Sequence, residues 1–149
     1  MIAPTFIAEY EKAMSDESCD YLIAMADRFM DEEPSGSNVL VGENGVTRND
    51  WFTYVGQKNV QASREVNNVL QSCLDQYIQE YNGISYCSRF MSFVQKLQVT
   101  KPGGGFHNWH AENTGADYSD RILTWMIYLN DMPDGEAETE FLYQRRRKP

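Results

Sequence analysis

Both histidines of the chain, His107 and His110, fall within four residues, and the second opens the step His110-Ala111-Glu112. In an extended segment residues i and i+2 point the same way, so this imidazole and this carboxylate can share one metal ion. They make two thirds of a facial triad. With one more histidine from a neighbouring strand, the set becomes the two-histidine, one-carboxylate face that holds non-haem Fe(II) and leaves three positions open for a cosubstrate and oxygen. A His-x-Glu step also arises often by chance, and its ordinary alternative is a surface pair or a satisfied core residue. His107 stands three residues before His110, which puts it on the opposite strand face unless the glycine-rich stretch before it bends the backbone. The cysteines offer nothing comparable. Cys19, Cys73 and Cys87 are odd in number, widely spaced and without a Cys-x-x-Cys step, which predicts reduced core thiols and neither a disulfide frame nor a zinc site.

The elements that must position this step follow from hydrophobic spacing. A short apolar stretch, Thr5 to Tyr10, precedes a helix that Ser15 can cap, with Asp16 and Glu17 near its positive end. Cys19, Leu22, Ile23, Ala26, Phe29 and Met30 recur along it at helical spacing, and Pro34, Ser35 and Gly36 end it. After an exposed Glu43-Asn44-Gly45 turn, Val66, Val69, Leu70, Cys73, Leu74, Tyr77, Ile78 and Tyr81 mark one face of a second, supporting helix that stops at Asn82-Gly83. From Ile84 the period changes. Met91, Phe93, Leu97 and Val99 alternate with polar residues as a half-buried strand should, and Lys101-Pro102-Gly103-Gly104-Gly105 breaks it just before the histidines. Further on, Ile122 to Leu129 predicts a buried strand, Asn130 to Gly135 a turn and Glu138 to Gln144 another strand. Two helices followed by short strands predict an α+β protein with a sandwich or barrel-like sheet.

The 149 residues, 42% hydrophobic and 13% aromatic, are one domain's worth and can bury a core. That excludes a disordered tail and a multidomain machine. No repeat, low-complexity run or Pro/Gly/Ser-rich linker divides the chain. No stretch approaches the roughly 18 uninterrupted apolar residues of a membrane helix, and the N-terminus lacks the basic-then-apolar order of a signal peptide. A cytoplasmic protein with no membrane partner is expected. The net charge of −9 repels phosphate backbones and argues against a nucleic-acid partner. Arg145, Arg146, Arg147 and Lys148 supply four of the thirteen Lys and Arg residues, and such a run is ordinarily a solvated end.

The run from Gln98 to Glu112, QVTKPGGGFHNWHAE, is followed by Arg121-Ile122-Leu123-Thr124, Tyr128-Leu129-Asn130-Asp131 and Glu138-Thr139-Glu140-Phe141-Leu142. In that order these motifs resemble the prolyl 4-hydroxylase-like family of Fe(II)- and 2-oxoglutarate-dependent dioxygenases, over roughly Ile84 to Pro149. The resemblance implies a helical support over 1–83 and, over 84–149, the first strands of a double-stranded β-helix (jelly-roll) core, together forming one partial domain over 1–149. It implies His110 and Glu112 as iron ligands, in a family where Asp is commoner at the second position. Tyr128 would contact the distal carboxylate of 2-oxoglutarate, and Thr100 stands where many members have a second tyrosine for it. Fe(II) and the cosubstrate 2-oxoglutarate are the implied cofactors, with ascorbate by family analogy. The implied reaction hydroxylates a peptidyl or small-molecule C–H bond and releases succinate and CO2. Trp109 and Trp125 could line the site or simply pack in the core.

The family's distal histidine, and the Lys or Arg about ten residues beyond it that pairs with 2-oxoglutarate, have no counterpart after His110. The sequence therefore reads as a C-terminally truncated jelly roll, with the basic run as the approach to the next family strand. An unclosed sheet predicts self-association through its open edge. The alternative function is a degenerate, non-catalytic relative acting as a protein-binding module through that edge.

Overall fold

The computed structural model describes residues 5–32, 36–43, 45–87, 91–92, 94–144 and 146–148. The expected helix stop at Pro34 and Ser35, the turn residue Asn44, the strand residue Phe93, and Arg145 and Pro149 lie outside the described residues.

Helix α1 runs Asp16–Glu32 and starts as its sequence demands. The Ser18 N–H donates to Ser15 Oγ at 3.2 Å, and Asp16 and Glu17 occupy the first turn, where the exposed amides favour negative charge. Its apolar face buries Leu22, Met25 and Ala26, with Cys19 and Phe29 packed beside them. A one-turn helix α2, Val55–Lys58, leads to α3, Val60–Glu80, whose first turn is capped by Asn59 Oδ1 accepting from the Ala62 N–H at 3.0 Å. Ala62 and Val66 are buried against α1, α2 and the sheet as part of one core cluster with Met14, Val55 and Leu97. The helix ends at Tyr81, and a 3-10 turn over Asn82–Tyr86 follows, at the predicted stop. Leu22 is 2% exposed at the centre of this cluster, so Leu22→Ala should cost about 3 kcal/mol of unfolding free energy in urea titrations. A loss below about 1 kcal/mol would show that the helices do not share one core.

The sheet differs from its sequence-based expectation. Strands β1, Gly36–Gly42, and β2, Gly45–Tyr54, form an antiparallel hairpin inside the stretch 1–83 expected to be a helical support. The predicted turn falls where β1 ends at Gly42 and β2 begins at Gly45. Strand β2 is central: β1 pairs along one edge, while β3, Lys96–Val99, and the two-residue β4, Gly105–Phe106, share the other. Thr53 and Leu97 are buried opposite one another, Val99 packs beside the core cluster, and α1 lies against both strands. The opposite face carries Asn38, Arg48, Asp50, Phe52, Lys96 and Phe106 by strand alternation.

Two further expectations are corrected. Ile122 to Leu129 joins no ladder; Trp125, Ile127 and Leu129 pack on the core while Ile122, Leu123, Met126 and Tyr128 are exposed. The alternation is a strand's, but among the described residues no neighbouring strand meets it. The chain also reverses sooner than Gln144: β5 covers only Thr139–Phe141 and pairs antiparallel with β6, Arg146–Lys148, so the basic run forms a hairpin strand. Backbone register there sets Glu140 opposite Arg147. The expected turn before β5 is present, closed by the Glu136 N–H on Pro133 O at 3.0 Å.

The architecture is thus α+β, with an antiparallel sheet backed on one face by helices. Among the described residues, no helix is long and apolar enough to cross a membrane. Cys19, Cys73 and Cys87 are free and half-buried, and burial pushes the Cys19 and Cys73 thiols above their usual range.

Candidate metal centre

Glycine chemistry shapes the connection from β3 to β4, just beyond which the histidines lie. Between β3 and β4 the chain loops out over Thr100 to Gly104, and the Gly104 N–H closes it on Lys101 O at 2.8 Å. A β-carbon on Gly104 would stand 2.6 Å from Asn49 O and 2.9 Å from Lys101 O, both backbone atoms that cannot swing aside. Gly104→Ala should therefore cost about 2 kcal/mol and loosen β4, read as a lower melting temperature and faster amide exchange at Phe106. Unchanged exchange there would show that β4 does not depend on this close approach.

The two histidines then part. The His107 N–H extends the pairing with β2 by donating to Thr47 O at 2.7 Å, and its ring folds over Gly105, whose φ of 145° leaves no room for a side chain. The His110 ring instead stacks on Phe106, with centroids 4.2 Å apart and planes 26° from parallel. Phe106 is itself covered by the Arg48 guanidinium, 4.5 Å from its ring centre. His107 and His110, both beyond the end of β4, are thus held by different neighbours.

His110 and Glu112 meet. The imidazole Nε2 lies 3.2 Å from Glu112 Oε1, and the Nδ1 lies 3.0 Å from the backbone oxygen of Asn108. Both neighbours are acceptors, yet a neutral imidazole carries one N–H. If Nδ1–H donates to Asn108, the Nε2 lone pair and the carboxylate face each other and are reconciled by a shared cation, either a proton or a metal. Glu112 Oε2 accepts from Arg121 Nη1 at 2.8 Å. Both side chains of the pair are 43% exposed, so ligands from solution can reach them.

Beneath the pair lies a charge cluster that the sequence reading missed. Asp50, with a fully buried side chain, accepts from Arg48 Nε and from Asn38 Nδ2, each at 2.6 Å, and has Lys96 Nζ at 3.8 Å. The Lys96 ammonium is pushed below its usual range chiefly by burial; the Arg48 charge adds to the fall, and Asp50 and Glu112 oppose it. The available signal was Arg48-x-Asp50 in an alternating stretch, which sets two opposite charges on one strand face.

The remaining candidates are less concentrated. The Tyr128 hydroxyl is 2.5 Å from Thr139 Oγ1, tying the unpaired segment to β5, and Thr100 places its methyl against Gly104. Neither hydrogen-bonds to His110 or Glu112. Trp109 is exposed, whereas Trp125 packs on the core as an ordinary aromatic. An open cleft of about 420 Å³ lies on the helical side, lined by Tyr21, Met25, Arg28 and Asn59 among others, and includes no residue of the pair. No family model, curated protein or solved structure gives a significant match to the chain. The site stands on its geometry alone. Among the described residues no three His, Cys, Asp or Glu side chains converge as metal ligands, and His110 with Glu112 brings two potential donor side chains together.

Proposed function

We propose that the chain is an Fe(II)- and 2-oxoglutarate-dependent hydroxylase of the prolyl 4-hydroxylase-like kind, cytoplasmic, with its sheet forming the first strands of a jelly-roll core. The observation that carries this reading is the facing of His110 Nε2 and Glu112 Oε1 at 3.2 Å with Nδ1 on a backbone carbonyl. Two ligand bonds of about 2.1 Å meeting at about 90° put their donor atoms about 3 Å apart, so the pair fits two adjacent positions around one ion. With the proton on Nδ1, the contact to Asn108 O would be the outer hydrogen bond that fixes the tautomer of a metal-binding imidazole. With Fe(II) and 2-oxoglutarate bound, the site would activate oxygen to hydroxylate a peptidyl or small-molecule C–H bond, with succinate and CO2 as co-products. His110 and Glu112 would hold the ion. Phe106 orients the His110 ring, and Arg121 engages the second oxygen of Glu112. Tyr128 and, more weakly, Thr100 are proposed to contact 2-oxoglutarate. The test is succinate formation by purified chain loaded anaerobically with Fe(II), then given 2-oxoglutarate and air. Iron-dependent succinate is expected, and its absence removes the enzymatic reading.

One observation favours a second reading, a non-catalytic protein-binding module that also self-associates. Strand β1 is an edge, carries no charged residue, and exposes Val39, Leu40 and Val41. Such an edge is suited to strand addition. Partner binding unaffected by chelator or by His110→Ala would mark this reading.

A further inference from the structure

We propose that Arg121 is the positioning residue that makes Glu112 a one-oxygen metal ligand. The inference rests on the metal reading of the His110–Glu112 pair. Glutamate has three side-chain torsions, and at 43% exposure little packing restrains them here. An unrestrained carboxylate would lose that freedom on binding an ion, and could present either oxygen or both. Arg121 removes the choice. Its Nη1 donates to Glu112 Oε2 at 2.8 Å and lies 3.4 Å from the backbone oxygen of the same residue, so one nitrogen holds both ends of the glutamate. That grip curls the side chain and leaves Oε1 as the oxygen turned to His110 Nε2.

The guanidinium is itself anchored. Its central carbon sits 4.2 Å from the centre of the Tyr118 ring, and the Arg121 N–H donates to Tyr118 O at 3.2 Å, closing the turn that follows the 3-10 segment Ala116–Tyr118. An ion pair this exposed adds little to folding stability. What it does supply is orientation, because the planar guanidinium engages a carboxylate with more directional constraint than an ammonium.

Charge and orientation predict opposite signs, which makes the role testable. Removing a cation beside the site should strengthen binding of a dication if only charge matters. Removing the clamp should weaken it. Co(II) binding to the full chain, followed by calorimetry and by the visible spectrum of the bound ion, separates the two. Arg121→Gln is expected to weaken Co(II) about tenfold and to alter the spectrum, with Arg121→Lys between it and the parent. Melting curves of both variants should match the parent, confirming that they fold. If Arg121→Gln binds Co(II) as tightly as the parent or more tightly, while His110→Ala does not bind, the positioning role is overturned and the metal pair stands. If the parent fails to bind Co(II), or binds it equally well after His110→Ala, the metal reading falls and this inference falls with it.

Discussion

Replacing Asp50 with alanine should lower the unfolding free energy by about 3 kcal/mol, among the largest losses a single substitution in the sheet can cause. The side chain is sealed from solvent, yet its carboxylate is charge-paired with Arg48 Nε and accepts from the neutral Asn38 Nδ2, each at 2.6 Å. Taking the carboxylate away leaves the Asn38 amide without its acceptor and two cations beside a cavity. Arg48 and Lys96 are 21% and 32% exposed, so both can turn toward water, which holds the cost at the lower end for a broken buried pair. Asp50→Asn keeps the volume and one acceptor oxygen and should lose about half as much. Urea unfolding followed by circular dichroism measures both; a loss under about 1 kcal/mol for Asp50→Ala would mean that the cluster is not a tie of the sheet. The effect should reach the site as well, since the Arg48 that pairs with Asp50 also covers Phe106, on which His110 stacks.

His110→Ala should abolish iron-dependent succinate formation while leaving stability within about 1 kcal/mol of the parent. The ring is 43% exposed and touches the fold mainly through Phe106, so its removal opens no sealed cavity. Its chemical role has no substitute nearby, because His107 is folded over Gly105 and Glu112 alone offers one donor atom. Phe106→Leu separates the ring's presence from its orientation: it keeps an apolar support but removes the stack, and should cut activity without abolishing it. Retention of iron-dependent turnover in His110→Ala would move the metal elsewhere and overturn the site.

Legibility differed sharply between elements. The Ser15 cap, the buried stripe of α1 and the stop of α3 could be read directly, since each depends on residues within one or two turns of one another. The hairpin of β1 and β2 could not, because Asp50 at the centre of β2 is polar where a core strand should be apolar. Its burial depends on Asn38 and Lys96, which are distant in sequence and meet it only across the sheet. The segment from Ile122 to Leu129 shows the converse failure: its apolar run reads as a buried strand, but hydrophobicity names no neighbour, and the segment stays unpaired among the described residues with Ile122, Leu123, Met126 and Tyr128 exposed.

The same division runs through the site. Sequence alone offered that His110 and Glu112 could project together if the segment were extended; the structure brings them together outside any strand, with Glu112 in a turn. The sequence set His107 on the opposite strand face unless the glycine-rich stretch bends the backbone. Only the tertiary structure decided which atoms face each other, that Arg121 takes the second carboxylate oxygen, and that His110 rests on an aromatic ring covered by Arg48. Those contacts join β2, β4 and the segment after Tyr118. No local periodicity encodes such meetings, because they exist only once the glycine loop has closed and the sheet has brought its strands into register.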